Sequence, residues 1–135
     1  MRYKFLDHTA DLKFQAYGKM LNEVFENSAL AITGTLYEKK VKQSKKLKIK
    51  AKGRDLEALM LRFLEELLFI YETRGFILGK IKVKISKNEK NLEADLLGEE
   101  IKGKTARHYI KAVTYNEMFV KKIKGKFVAQ VVLDV

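Results

Sequence analysis

Asp7, His8 and Asp11 form the densest group of chemically functional side chains in the sequence, within Asp7-His8-Thr9-Ala10-Asp11. The chain holds two histidines and no cysteine, which excludes disulfides, thiolate nucleophiles and zinc–thiolate sites. Two carboxylates four residues apart suit a hard cation such as Mg²⁺ or Ca²⁺, although such ions need further oxygen ligands from separate segments. The stretch lies between two strand-like runs, so the same side chains also suit a polar turn.

A third carboxylate stands near the other end of the chain. Asp134 precedes Val135, at the close of a run that is apolar on both faces and is therefore predicted to be a central strand. If that strand lies beside the one beginning after Asp11, the carboxylates of Asp11, Asp134 and the terminal residue converge. Such a cluster repels itself unless a cation neutralises it. Spacing alone leaves both the metal site and the polar turn open.

Other catalytic motifs are absent from the sequence. It contains no G-x-S-x-G elbow, no P-loop and no G-x-G-x-x-G phosphate-binding turn. No serine is placed beside either histidine by a recognisable pattern, so a catalytic triad is not expected. A metal-dependent hydrolase using Asp11 remains the enzymatic alternative.

Positive charge dominates the composition, with 28 Lys and Arg against 17 Asp and Glu and a net charge of +11. Residues 39–54 carry nine of the basic residues and no acid, and Lys48, Lys50 and Lys52 alternate there with apolar residues. This pattern predicts a strand with a lysine face, which is either a solvated surface or a platform for RNA or a partner. A Lys/Glu-rich chain also fits heat adaptation. No aromatic residue interleaves with these lysines, so base stacking is not expected.

Two amphipathic helices are predicted. The first runs from Met20 to about Leu36, where apolar residues recur at steps of three and four. The second begins at Asp55, a favourable N-cap, and ends at Gly75, which suits a left-handed cap. Its apolar stripe is broad enough to predict burial on a sheet.

Strand patterns account for most of the remainder and give the order β-β-α-β-α-β-β-β-β-β. Separate strands are predicted over 109–115 and 118–123, and Gly98 to Gly103 is predicted to be a loop. The fold class is α+β, with two helices packed on a mixed, mostly antiparallel sheet. Duplicated strand–helix–strand–strand modules are compatible with this order, although no sequence repeat is visible.

Length and composition indicate one domain spanning residues 1–135, with 47% hydrophobic residues to form its core. The N-terminus lacks the apolar stretch of a signal peptide, and no apolar run approaches the ~20 residues of a membrane helix. We therefore expect a cytoplasmic protein with no membrane partner.

The D-H-T-A-D motif within Phe5–Asp11 resembles the N-terminal signature of the archease family. The resemblance continues in chain order through further segments: Tyr17-Gly18, Glu23–Ala29, Leu64–Phe69, Val113-Thr114-Tyr115 and Val131–Val135. It covers nearly the whole chain. The family fold that it implies is α+β and related to duplicated strand–helix–strand–strand modules.

The resemblance implies a function. Archeases are non-enzymatic activators of the RtcB-type RNA ligase, which joins tRNA halves after intron removal. They promote transfer of GMP from GTP to the ligase, allow repeated turnover and widen its nucleotide choice. We therefore expect an RtcB-type ligase as partner, with tRNA reached only indirectly. A basic nucleic-acid-binding chaperone is the alternative, suggested by the net charge.

The resemblance also implies site residues. The family's metal-binding positions match Asp11, Asp134 and Val135, where we expect a divalent ion, calcium first, with magnesium or manganese as options. Asp7 and His8 are expected to shape the loop or meet the partner. Family members often carry a histidine after V-T-Y, where this chain has Asn116. An amide at that position still donates and accepts hydrogen bonds, so Asn116 is a candidate contact with the partner.

Overall fold

Two helices and seven strands make up the part of the chain that the structure, a computed structural model, describes: residues 1–6, 11–101 and 110–135. In chain order they are β1 (Tyr3–Leu6), β2 (Leu12–Gly18), α1 (Leu21–Leu36), β3 (Lys45–Lys52), α2 (Leu56–Arg74), β4 (Phe76–Ile85), β5 (Asn91–Glu100), β6 (Ala112–Ile123) and β7 (Lys126–Asp134). The predicted α+β class is confirmed.

The strands form two sheets rather than the single mixed sheet that was expected. Sheet A has the order β1-β2-β7-β6 and sheet B has the order β3-β5-β4. All strand pairs among the described residues are antiparallel. Alternating patterns identify strands, but they do not show which strand edges join, so one sheet and two sheets look alike in sequence.

The two sheets contain the same structural unit twice. In sheet B, the contiguous unit β3–α2–β4–β5 has three strands, and the last of them in the chain, β5, lies between the first, β3, and the second, β4. In sheet A, β2, α1, β6 and β7 repeat this arrangement, with the last strand, β7, between β2 and β6. The sheet B unit is inserted between α1 and β6 of the sheet A unit. The duplicated strand–helix–strand–strand plan is therefore present, with one module split by the other.

Local sequence signals determine where the helices begin and end. The Asp55 carboxylate accepts a hydrogen bond from the Ala58 N–H at 2.8 Å, which satisfies one donor at the start of α2. Gly75 ends α2 in the left-handed region, with φ of 69°, and its N–H donates to the last turn. At the start of α1, the Glu23 carboxylate accepts from the Met20 N–H at 2.9 Å. Both predicted helices are confirmed.

The helices hold the two modules together. Helix α1 packs against β2 of its own module and β4 of the other, while α2 packs against β3 and β6. The Phe25 and Phe63 rings, one from each helix, lie 5.9 Å apart in the core. Both rings are fully buried. The predicted burial of α2 on a sheet is confirmed, and each helix in fact covers strands of both sheets. Within the described residues, no helix combines the length and apolar character needed to cross a bilayer.

The predicted loop from Gly98 to Gly103 is wrong at its start, because β5 continues through Glu100. Gly98 lies inside the strand and pairs with Leu78 and Lys45. A Cβ atom there would lie 2.0 Å from the Ile77 carbonyl oxygen. This glycine permits close approach of two backbones rather than marking a turn.

The division into separate strands over 109–115 and 118–123 is also wrong, since Ala112–Ile123 is one strand, β6; residue 109 lies outside the described residues. Its register against β7 shifts between Thr114 and Phe119. Residues 115–118 therefore form a wide bulge opposite the single residue Val131. The gap between the two predicted strands, residues 116 and 117, falls within this bulge.

Candidate functional site at one end of sheet A

Asp11 and Asp134 lie at the same end of sheet A. Strands β2 and β7 are antiparallel neighbours with Leu12 opposite Leu133, so the next residues in this register are Asp11 and Asp134. Leu12 and Leu133 are the last residues that pair between β2 and β7 at this end, and Asp11 directly precedes Leu12 in the chain. The adjacency of the first and last long strands, on which the predicted convergence of carboxylates depended, is therefore present.

Strand alternation places both carboxylates on the outer face of sheet A. Phe14 and Val131 point into the core and are fully buried, so Lys13 and Val132 belong to the outer face. Asp134 lies in β7 and shares this face with Val132, and a continued alternation of β2 would give Asp11 the same face. The Lys111 N–H donates to the Asp134 carbonyl oxygen at 2.7 Å. This hydrogen bond fixes the backbone of Asp134 beside the start of β6.

The bulge of β6 lies near this end, three residues after Ala112, which pairs with Asp134. Its exposed side chains include Tyr115, which is 51% exposed, and Asn116. The Thr114 hydroxyl donates to the Val132 carbonyl at 3.0 Å and accepts from the Asn116 N–H at 3.3 Å. The backbone of Asn116 is thereby tied to β7 while its side chain faces outward.

A polar network on the outer face supports the far side of the bulge. Gln130, which is 8% exposed, donates to the Glu117 carbonyl at 2.8 Å and accepts from the Gln15 amide at 2.9 Å. Tyr17 in turn donates its hydroxyl proton to Gln15 at 3.1 Å. Glu117 has a φ of 54°, in the left-handed region. The buried hydrogen bond from Gln130 holds Glu117 in this conformation.

Lys13 and Glu117 add an ion pair beside the carboxylates. Lys13 Nζ lies 3.0 Å from Glu117 Oε1, and the Lys13 side chain is only 16% exposed. Lys13 follows Asp11 by two residues and points to the same face. The pair therefore links the start of β2 directly to the bulge, across β7.

The predicted site residues have different outcomes. Asp11 and Asp134 lie at the same end of sheet A, next to the paired residues Leu12 and Leu133, and Val135, 38% exposed, follows Asp134 directly. Asn116 lies on the bulge at the same end of the sheet. Asp7 and His8 lie outside the described residues. Within the described part of the chain, no three His, Cys, Asp or Glu side chains are grouped as a metal site.

The donor set at this end fits a hard divalent cation. Carboxylate oxygens from Asp11 and Asp134 and the main-chain oxygen of Val135 are the ligand type that Ca²⁺, Mg²⁺ and Mn²⁺ prefer. Like charges directly opposite each other across two strands repel. A cation between the two carboxylates would convert that repulsion into attraction.

Sequence reasoning missed the groups that build the bulge, namely Gln15, Gln130, Lys13 and Glu117. The bulge puts Thr114 and Phe119 on the same outer face, although their odd separation would put them on opposite faces of a regular strand. This shared face is seen only from their pairing with β7. The partners of Gln130 had no signal, because the contact joins three strands that are distant in sequence.

The chain matches known proteins along nearly its full length. The model of the archease protein family matches residues 3–135. The archease of Methanosarcina barkeri is 39% identical over 140 residues, covering 99% of this chain and 96% of that protein. The archease of Sulfolobus acidocaldarius is 35% identical over 137 residues, covering 99% of both chains.

Solved structures agree with the fold. The solution structure of protein 1598 of Methanobacterium thermoautotrophicum superposes with a TM-score of 0.88 at 38% identity, covering 99% of both chains. The crystal structure of a Thermotoga maritima archease, described as a possible chaperone, superposes with a TM-score of 0.61 at 18% identity. That alignment covers 98% of this chain and 96% of the other, and it supports the fold alone. With the family model and these relatives in agreement, this chain belongs to the archease family.

Proposed function

We propose that this archease activates an RtcB-type RNA ligase that joins tRNA halves after intron removal. In this role it promotes guanylylation of the ligase, allows repeated turnover and broadens the choice of nucleoside triphosphate. The observation that supports the proposal is the pairing of Leu12 with Leu133, which brings the chain at Asp11 and at Asp134 to the same end of sheet A. The chain itself performs no chemistry in this role.

Asp11 and Asp134 supply the charge at this end. Their carboxylates and the main-chain oxygen of Val135 bind a divalent cation, for which calcium is the first candidate and magnesium or manganese are alternatives. A cation held there supplies positive charge that triphosphate oxygens can share during an in-line transfer. The sheet keeps the ligands in place, because β7 is hydrogen-bonded on both sides, to β2 and β6.

The bulge supplies the contact surface beside the cation. Tyr115 is an exposed aromatic side chain, of the type enriched at the energetic centres of protein interfaces. Asn116 follows it and can both donate and accept a hydrogen bond. Asp7 and His8 are assigned to the same contact from their place before Asp11 in the sequence. In this proposal the ligase contacts the bulge, and its nucleotide site contacts the end of sheet A that carries Asp11 and Asp134. We call this end of the sheet the carboxylate end.

A guanylylation assay tests the proposal. The RtcB-type ligase is incubated with GTP and divalent metal, and archease is added below the ligase concentration. Stimulation of many ligase molecules by each archease distinguishes an activator from a stoichiometric binder. We expect Asp11→Asn and Asp134→Asn to remain folded, as judged by circular dichroism, and to lose most of the stimulation.

Asp95→Asn is the matched control. It removes one aspartate charge from an outward strand position of sheet B, where Asp95 pairs with Lys48 at 3.7 Å. We expect this variant to stimulate the ligase as the wild type does. Full stimulation by both the Asp11 and the Asp134 variants would rule out the proposed role of the carboxylate end.

A further inference from the structure

The outer face of sheet B carries two rows of lysines. One row is Lys46, Lys48, Lys50 and Lys52 on β3, and the other is Lys80, Lys82 and Lys84 on β4. All seven lysines are exposed, while the alternate residues of these strands point toward the core. We call this surface the lysine face.

The strand register fixes the spacing of the two rows. Strand β5 lies between β3 and β4, and rungs such as Lys48–Asp95–Lys82 and Lys50–Glu93–Lys84 cross all three strands. Adjacent strands are about 4.8 Å apart, so the rows are separated by roughly 10 Å. Alternate residues along a strand are about 6.7 Å apart. The lysines therefore form a regular array that extends along the sheet.

The central strand neutralises only part of this charge. Glu93 pairs with Lys50 at 3.5 Å and Asp95 pairs with Lys48 at 3.7 Å. The other lysines of the face form no ion pair with a described carboxylate: Lys46, Lys52, Lys80, Lys82 and Lys84. A third acid, Glu99, lies beyond the rows and accepts a hydrogen bond from the Lys42 N–H. The face therefore retains a net positive charge.

One rung of the array contains no acid at all. Lys46 and Lys80 lie on either side of Leu97, and they line a shallow depression of about 260 Å³ together with Lys82 and Asp95. Two ammonium groups thus flank an opening whose central residue is apolar. The carboxylate that also lines the depression, Asp95, is paired with Lys48 at 3.7 Å, so the ammonium groups of Lys46 and Lys80 remain available to an anion.

The chemistry of the face distinguishes between anionic partners. Protein interfaces concentrate aromatic residues and arginine and are depleted in lysine. The outward positions of described strands β3, β4 and β5 hold neither an aromatic residue nor an arginine. Without aromatic groups, the face also offers no platform for stacking bases. Lysine instead acts as a point charge toward phosphate.

We propose that the lysine face binds the phosphodiester backbone of RNA without sequence preference, and that a phosphate occupies the depression between Lys46 and Lys80. This inference does not rest on ligase activation, because the carboxylate end and the lysine face belong to different sheets. Counterion release from the RNA supplies the affinity, so binding weakens steeply as salt rises.

Fluorescence anisotropy tests the proposal. The probe is a labelled uridine homopolymer of about 16 nucleotides, the upper site size of compact single-strand-binding folds. The full chain is titrated from about 50 to about 200 mM salt. The logarithm of the association constant should fall linearly with the logarithm of the salt concentration. We expect Lys46→Gln/Lys80→Gln to make this slope less steep by about 1.4, because each lost phosphate contact accounts for about 0.7. At about 0.1 M salt this slope change corresponds to roughly 25-fold weaker binding.

Lys121→Gln/Lys122→Gln is the matched control, since it removes the same charge from exposed lysines of sheet A. This control and Asp11→Asn should both bind RNA as tightly as the wild type. Equal weakening by the control and by the Lys46/Lys80 variant would show a diffuse charge effect and overturn the assignment. Binding of poly-glutamate without binding of RNA would also overturn it, in favour of an acidic protein partner.

Discussion

Glu57 Oε2 on α2 accepts a hydrogen bond from the backbone N–H of Val120 on β6, at an N–O distance of 2.9 Å. Glu26 on α1 does the same for the N–H of Val83 on β4, at 2.8 Å. Both strands are edge strands of their sheets. Each helix therefore satisfies an edge amide of the other module, which links the modules and blocks that part of the edge.

Glu57→Ala should lower the free energy of unfolding by about 1–3 kcal/mol, because it leaves the Val120 N–H without its acceptor. Glu57→Gln should cost less, since an amide oxygen still accepts the bond. Urea denaturation measures both variants. Glu65→Ala on the same helix is the control, because its contact with Arg62 is an exposed ion pair at 3.5 Å. Equal losses for Glu57→Ala and Glu65→Ala would contradict this account.

Gln130→Leu should destabilise the bulge of β6. The substitution removes the donor to the Glu117 carbonyl and the acceptor of the Gln15 amide, at an expected cost of about 1–3 kcal/mol. A double-mutant cycle with Gln15→Leu should show a coupling energy of about 0.5–3 kcal/mol. Additive effects of the two substitutions would mean that the network does not act as a unit. Amide chemical shifts of Asn116 and Glu117 report on the bulge itself.

Gly98→Ala should destabilise the fold by about 1–3 kcal/mol or more, because the added Cβ would lie 2.0 Å from the Ile77 carbonyl oxygen of the paired strand. Gly34→Ala provides the contrast. Its Cβ meets only the Tyr3 hydroxyl, at the end of a movable side chain, and alanine favours the helix. Thermal unfolding should show a much smaller loss for Gly34→Ala, and a similar loss would contradict the backbone-clearance argument.

Glu100 should make stability depend on pH in the acidic range. Its hydrogen bond with Arg74, at 2.8 Å, and the nearby Lys45 hold the pKa of this carboxyl below its usual value near 4.5. Because the pKa of Glu100 is lower in the folded state than in the unfolded state, its ionisation stabilises the fold at pH values above the unfolded-state pKa. This stabilisation is lost as the pH falls from the unfolded-state pKa to the folded-state pKa. The effect is small because the group is exposed.

The measurement for Glu100 compares the Tm of the wild type with that of Glu100→Gln. The wild type should be slightly more stable at neutral pH, and the difference should disappear as pH falls below about 4.5. A difference that persisted in strong acid would assign the effect to something other than ionisation of Glu100.

Calcium should raise the Tm of the wild type, since a ligand that binds only the folded state stabilises it by mass action, by about 2.7 kcal/mol at a concentration of 100 Kd. Asp11→Asn and Asp134→Asn should lose most of this shift, whereas Asp95→Asn should keep it. The measurement needs no ligase, so a failure of metal binding is separated from a failure of activation. An unchanged shift in both site variants would place the cation elsewhere.

Local signals made much of the fold predictable from the sequence. Asp55 and Gly75 marked the ends of α2 because capping depends on residues close in the chain. The apolar runs on both faces of β7 identified it as a central strand. A central β7 could lie beside the strand that follows Asp11, which was the condition for Asp11 and Asp134 to approach each other. The register of the two strands could be determined only from the structure.

Features that depend on distant contacts could not be predicted. Gly98 resembles a turn residue until the Ile77 carbonyl is placed against it, and the β6 bulge resembles a strand end until Gln130 is seen to hold it. The division into two sheets depends on which strand edges pair. The same holds for Glu26 and Glu57, whose acceptor roles arise only when each helix reaches the other module.

The insertion of one module within the other gives the two halves of the protein different folding histories. Strands β3, β4 and β5 with α2 are contiguous, so this unit can assemble as soon as its own segment has left the ribosome. Strand β2 must wait for β7, and contacts between distant segments form slowly because loop closure costs entropy. We therefore expect Asp11 to approach Asp134 late in folding. A nascent or truncated chain would carry the lysine face before it could carry the carboxylate end.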